Sequence, residues 1–191
     1  MYEAVADPYC YPGTSVLKNR LGLRDQAALD LFEAEITAQR AAEPLPSARL
    51  TYAHYRAIHR HLFQDVFSWA GKVRTVRISK QDSTFCYPEH INREMRGLFR
   101  GLSAQKHFRH LDVPSFATRA AHFIAELNAI HPFREGNGRT QLAFLILLAE
   151  RAGNPLALEQ LDPLAILKAV VESFGGREQP LVHMIAGLIQ E

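Results

Sequence analysis

Along this chain the apolar residues recur mainly at intervals of three and four, the spacing of one helix face, and only one stretch alternates residue by residue. Asp25 is placed to cap a helix running to about Ala42 through Leu29, Phe32 and Ile36, which Glu43-Pro44-Leu45-Pro46-Ser47 then ends. Thr51 opens a second, with Tyr55, Ile58, Leu62 and Val66 on one face and Trp69-Ala70-Gly71 closing the segment. Further helical patterns cover about 89–102, Pro114 to Ile130, Gly138 to Ala152, Pro163 to Ser173 and Pro180 to Ile189. Leu142 to Leu148 is apolar almost all round, which predicts the central helix there. Val73 to Ile78 alternates with period two, Lys80-Gln81-Asp82-Ser83 is a polar turn, and Thr84 to Tyr87 follows, which predicts one short β-hairpin. Tyr9 to Asn19, with Pro12-Gly13, suits an ordered arm leading into the first helix.

These elements predict a mainly α fold, a helical bundle of about seven or eight helices with one hairpin. Nothing repeats and no linker divides the 191 residues, so one domain is expected from end to end, large enough for a core without metal or disulfide staples. Cys10 and Cys86 show no spacing of a disulfide framework or zinc site, which fits a reducing compartment. With no signal-peptide pattern at Met1 and no apolar stretch of membrane length, the expected location is cytoplasmic, without membrane contact. The 22 basic and 20 acidic side chains leave a formal charge of +2, too little to predict direct nucleic-acid binding. His54, His59 and His61 do not share the face a zinc site needs, and Lys106 to His110 reads as a solvated basic loop.

The chemistry concentrates between two helices, in His131-Pro132-Phe133-Arg134-Glu135-Gly136-Asn137-Gly138-Arg139. A Gly-Asn-Gly run entering a long helix can turn its N–H groups toward one point, where the helix end already favours an anion. Arg139 offers a planar fork of donors to phosphate oxygens, Glu135 a hard oxygen ligand for Mg²⁺ on those phosphates, and His131 a general base for a hydroxyl. The alternative is that His131-Pro132 only ends a helix and the glycines only turn the chain.

This segment closely resembles the active-site motif of the Fic family, His-Pro-Phe-x-(Asp/Glu)-Gly-Asn-Gly-Arg-x-x-Arg, at eight of its nine specified positions. Tyr11-Pro12-Gly13-Thr14 with Leu17-Lys18-Asn19 is similar to the arm of bacterial Fic toxins, and Phe67 to Gly71 with Arg74 to Lys80 is similar to the family's entry to a hairpin flap. The resemblance spans about residues 9–190, and implies a single Fic domain with its core at about 50–190 and an arm and helix at 9–42. It implies a protein nucleotidyltransferase that moves AMP from ATP to a Tyr, Ser or Thr hydroxyl. By position, His131 would be the base, Glu135 the Mg²⁺ ligand, and Gly136, Asn137 and Gly138 the anion hole. Arg139 would neutralise the departing pyrophosphate, while Phe133 would anchor the loop in the core. Glu172 and Ser173 are the candidates near the adenine. The flap residues Ser79, Lys80, Thr84, Phe85 and Cys86 would dock the target as an added strand, with Phe85 either clamping its side chain or serving the core.

The motif's final arginine is absent, replaced by Leu142, which removes one phosphate clamp and makes the donor nucleotide uncertain. Glycine at 138, where a phosphorylating branch of the family has lysine, favours AMP over phosphate transfer. No Ser/Thr-x-x-x-Glu-(Gly/Asn) inhibitory segment is present, so the resemblance implies a toxin whose antitoxin is a separate chain, with type II topoisomerases among the candidate targets. The alternatives are a Fic-type transferase of phosphate or another nucleotide, or a catalytically weakened domain that binds proteins through its flap.

Overall fold

The computed structural model describes residues 7–47, 49–80 and 83–189. Seven helices follow the predicted order: α1 (Gln26–Ala42), α2 (Tyr52–Phe63), α3 (Pro88–Ala104), α4 (Val113–Ile130), α5 (Asn137–Ala152), α6 (Pro163–Phe174) and α7 (Gln179–Leu188). Their starts are set by side chains that take up the unpaired N–H groups of a first turn. Asp25 accepts from Ala28 N–H, Thr51 from His54 N–H and Asp112 from Ser115 N–H. A proline in the first turn of α3, α4, α6 and α7 sits where its missing N–H costs nothing.

The centre of the bundle is α4, which corrects the expectation that α5 is central. α4 packs against α3, α5, α6 and α7, and its buried residues occupy more than one face. The apolar girdle of α5 has a different cause: Phe144, Leu145 and Leu148 enter the core, while half-buried Leu142 lines a cavity. An aromatic cluster of Tyr55, Phe99, Phe123, Phe133 and Phe144 joins α2, α3, α4 and α5 beneath the loop that follows α4.

The hairpin is shorter than its alternation predicts. Strands β1 (Ser79–Lys80) and β2 (Ser83–Thr84) pair antiparallel, Ser79 with Thr84 and Lys80 with Ser83; Gln81 and Asp82 of the expected turn lie outside the described residues. Residues 74–79 do alternate in burial, and Ile78 O still accepts from Phe85 N–H across the hairpin, but the start of the stretch bonds elsewhere. Arg74 N–H donates to Pro132 O and Thr75 N–H to the Tyr9 hydroxyl, so the ladder does not extend back to these two residues.

The arm is tied down as expected, with Lys18 N–H bonded to Tyr9 O and Arg20 N–H to Val66 O, and Tyr9 set edge-on against Trp69. The basic stretch near position 106 is a tight turn with Lys106, His107 and Phe108 all at positive φ, costing about 1–2 kcal/mol per residue. Phe108, buried against Phe116 and Phe123, holds it in place.

Candidate active site

Helix α4 stops because His131 turns into the left-handed region, at φ 49° and ψ 64°, while its N–H still bonds Leu127 O, and Pro132 cannot continue the helix. Phe133 then drops into the core, fully buried and stacked on Tyr55 and His59. The loop is closed by the side chain of Asn137, whose Oδ1 accepts from Phe133 N–H and whose Nδ2 donates to Phe133 O, each at 2.9 Å. Only the main chain of Asn137 is therefore left for an anion. Gly136 enters α5 at φ 81°, and a Cβ there would stand 2.3 Å from Cζ of Phe63. At Gly138, by contrast, a Cβ would meet nothing within 4 Å, because the first turn of α5 faces open space. The N–H groups of that turn have no acceptor inside the helix.

That space is a cavity of about 990 Å³ bordered by the loop, the flap and helices α4 to α7. His131, Glu135, Gly136, Asn137, Gly138, Arg139 and Leu142 all line it, so the residues singled out in the motif are brought to one place. The imidazole of His131 lies 3.2 Å through Nδ1 from Asn128 O. A carbonyl only accepts, so Nδ1 carries a proton, and in the neutral form of the ring the lone pair a base requires is on Nε2. Phe85 stacks on this ring, with centroids 3.9 Å apart, and meets Phe174 edge-on. Phe85 is thus buried as the roof of the histidine, while Ser79 and Thr84 are exposed at the hairpin and Cys86 is half-buried. For Lys80 the backbone pairing alone is described. Cys10 and Cys86 are free thiols.

The carboxylate of Glu135 is exposed and accepts from Gly136 N–H at 2.8 Å. Arg139 leans away from Glu135, at 3.9 Å, toward α1. There its Nη2 bonds Glu33, its Nη1 donates to the Thr37 hydroxyl at 3.1 Å, and the guanidinium lies 4.7 Å over the Phe63 ring. Burial pushes the Glu33 carboxyl above its usual range, against the opposing pull of Arg139. Neither Glu172 nor Ser173 lines the cavity. Ser173 is buried and donates to Val170 O, Glu172 lies 3.8 Å from Arg177, and the wall is made instead by Val170, Val171 and Phe174.

Three site residues escaped the sequence reading: Glu33, His59 and Arg74. His59 is fully buried, accepts from Gly71 N–H through Nδ1 and donates through Nε2 to Glu135 O. It joins the loop to the segment entering the flap. Burial pulls its pKa down to about 4, so it is neutral near pH 7. Unfolded, it would titrate near 6.5 and bind more protons than the folded form between those values. Stability should therefore fall as pH drops from about 6.5 toward 4, and chemical denaturation of a His59→Asn variant across this range should show a flatter slope. An unchanged slope would mean that His59 does not set it.

No group of three or more His, Cys, Asp or Glu side chains is gathered as a metal site among the described residues, and none of their helices is long and apolar enough to cross a membrane. The site so defined is a cavity at the N-terminus of α5, lined by His131 and Glu135 and bordered by the hairpin. The model of the Fic/DOC family matches residues 49–149, and the chain belongs to that family. It is 50% identical over 189 residues, 98% of each chain, to a Sinorhizobium fredii protein named as a probable protein adenylyltransferase. It is 37% identical to the protein adenylyltransferase VbhT of Bartonella schoenbuchensis, of whose length it spans only 39%. Among solved structures, the N-terminal Fic domain of a VirB-translocated effector of Bartonella quintana, with bound ADP, superposes with a TM-score of 0.85 at 28% identity, covering 95% of this chain and 94% of that one.

Proposed function

We propose that this chain is a protein adenylyltransferase, which moves AMP from ATP to a Tyr, Ser or Thr hydroxyl of a target protein. The observation that carries the reading is the convergence of the His131 imidazole and the Gly136–Arg139 helix entry on one cavity. In this reading the target oxygen forms a bond to the α-phosphorus as its proton passes to Nε2 of His131. The bond from that phosphorus to the bridging oxygen breaks, and pyrophosphate leaves. Transfer of this kind depends mostly on positioning and on stabilising charge spread over oxygens. The N–H groups at the start of α5 supply that stabilisation, and Arg139 adds to it on exchanging its bonds to Glu33 and Thr37 for phosphate oxygens.

Mg²⁺ fits the donor set, because this ion is commonly held by one or two carboxylates together with substrate phosphates, and Glu135 is an exposed carboxylate at the mouth of the cradle. Bound there, the ion would neutralise phosphate charge. A cytoplasmic toxin restrained by a separate antitoxin chain, with a topoisomerase as target, is the biological setting that the bacterial Fic resemblance suggests. Leu142 supports a second reading, transfer from another nucleotide donor, because it sets an alkyl chain on the cavity wall where an arginine would contact phosphate.

ATP labelled at the α- or the γ-phosphate, incubated with the protein and a bacterial lysate, separates these readings. Label retained on protein from the α-position alone is the expected result. Label from the γ-position would turn the reading to phosphate transfer, and no label from either would leave a binding module or another donor.

A further inference from the structure

Arg74 is only 2% exposed, yet no carboxylate is paired with it among the described residues. A buried cation is tolerated only when its donors are satisfied, and here main-chain carbonyls satisfy them. Nε donates to His131 O at 2.8 Å, Nη1 to Val76 O at 2.7 Å, and Nη2 to Cys86 O at 2.6 Å and to Ile130 O at 3.3 Å. Its own N–H donates to Pro132 O at 2.9 Å. Burial pulls the guanidinium's pKa down from its ordinary value.

Two of these carbonyls belong to the end of α4, whose last turn lacks intrahelical donors and carries the negative end of the helix dipole. A side chain that only capped α4 would stop there. The other two bonds reach Val76 and Cys86, one on each limb of the hairpin, and Cys86 N–H is in turn bonded to Ala129 O at 3.1 Å. The residue between the β2 strand and Cys86 is Phe85, which stacks on the His131 ring. One guanidinium thus brackets the main chain of the histidine and both limbs that carry its roof. The cradle at the start of α5 is held by bonds that do not involve Arg74, through Asn137 and His59.

We infer that Arg74 is a positioning residue for the transfer step, fixing the base of the flap and the His131 main chain as one unit so that a target docked on the hairpin is in register with the imidazole. The inference rests on the adenylyltransferase reading. It requires the planar fork of arginine, since the three tetrahedral donors of lysine cannot reach carbonyls arranged around a plane.

The test is Arg74→Lys in the full chain, which retains the charge and removes the fork. At saturating ATP, the initial rate of α-label incorporation into lysate protein should fall at least about ten-fold. The ATP concentration giving half-maximal rate, and ADP affinity by calorimetry, should stay within about two-fold. A rate that falls only in proportion to the unfolded fraction, or an ADP affinity that falls with it, would overturn the inference. Should the variant not fold, hydrogen exchange on the wild type decides. The amides of Arg74, Cys86 and His131, bonded to Pro132, Ala129 and Leu127, should open together at one rate; three independent rates would overturn it. If the wild type transfers no label at all, the adenylyltransferase reading fails, while the exchange result still judges the coupling.

Discussion

Replacing His131 by alanine should abolish nucleotidyl transfer while leaving nucleotide binding in place. The loss follows from the chemistry of the ring: with Nδ1 turned to Asn128 O, Nε2 of the neutral imidazole is the atom able to accept the hydroxyl proton, and alanine offers no such atom. General-base catalysis typically contributes 10²–10⁴-fold, so the initial rate of α-label incorporation should fall by about that factor. The N–H groups proposed to hold the anion lie on the first turn of α5, and the bonds that shape that turn run through Asn137, Glu135 and His59 rather than through the His131 ring. ADP affinity measured by calorimetry should accordingly stay within about two-fold of the wild type. A variant that still labelled lysate protein within a few-fold of the wild-type rate would remove His131 from the role of base. Joint loss of binding and rate would instead make it part of the nucleotide cradle.

The second large effect is expected at Gly136. A side chain there must adopt φ 81°, which costs about 1–2 kcal/mol, and its Cβ would fall within 2.3 Å of the Phe63 ring, which is itself buried and cannot withdraw freely. Overpacking of this kind costs about 1–3 kcal/mol, so Gly136→Ala should destabilise the fold by about 3 kcal/mol. For a chain of this size that corresponds to a thermal midpoint lowered by roughly 10 °C. Any relief gained by moving the loop would displace the first N–H groups of α5, so ADP affinity should fall as well. Gly138→Ala is the matched control for stability, because the added methyl meets open space on a helix that favours alanine over glycine. Equal midpoints for the two variants would contradict the packing argument.

What could be read from the chain, and what could not, divides by the range of the interaction. Asp25 and Thr51 as caps, and Pro114 as a first-turn residue, act within a few positions of themselves, so α1, α2 and α4 were foreseen with their starts nearly in place. The loop from His131 to Arg139 was equally legible, since its chemistry lies within nine consecutive residues. The alternation gave the correct sense of inside and outside from Thr75 to Ile78 but failed at Arg74, which is buried, and it could not name the partners, because periodicity does not record the destination of a hydrogen bond. Glu33 and Arg74 were hidden for a related reason. A charged side chain in a polar run reads as solvent-facing, and only the fold shows that one meets an arginine of a distant helix and the other a set of carbonyls. Ser173 shows the opposite error, a polar residue expected near the nucleotide whose hydroxyl is spent on its own helix.

The pairing of Glu33 with Arg139 also bears on where the working unit begins. The segment by which the family is recognised starts at residue 49, yet the counter-charge of its arginine is supplied from α1, before that boundary. A fragment trimmed to the recognisable segment would leave Arg139 without Glu33 and Thr37, free to follow whichever anion is nearest. The catalytic module, as an object that could be excised or grafted, is therefore larger than the stretch that announces it.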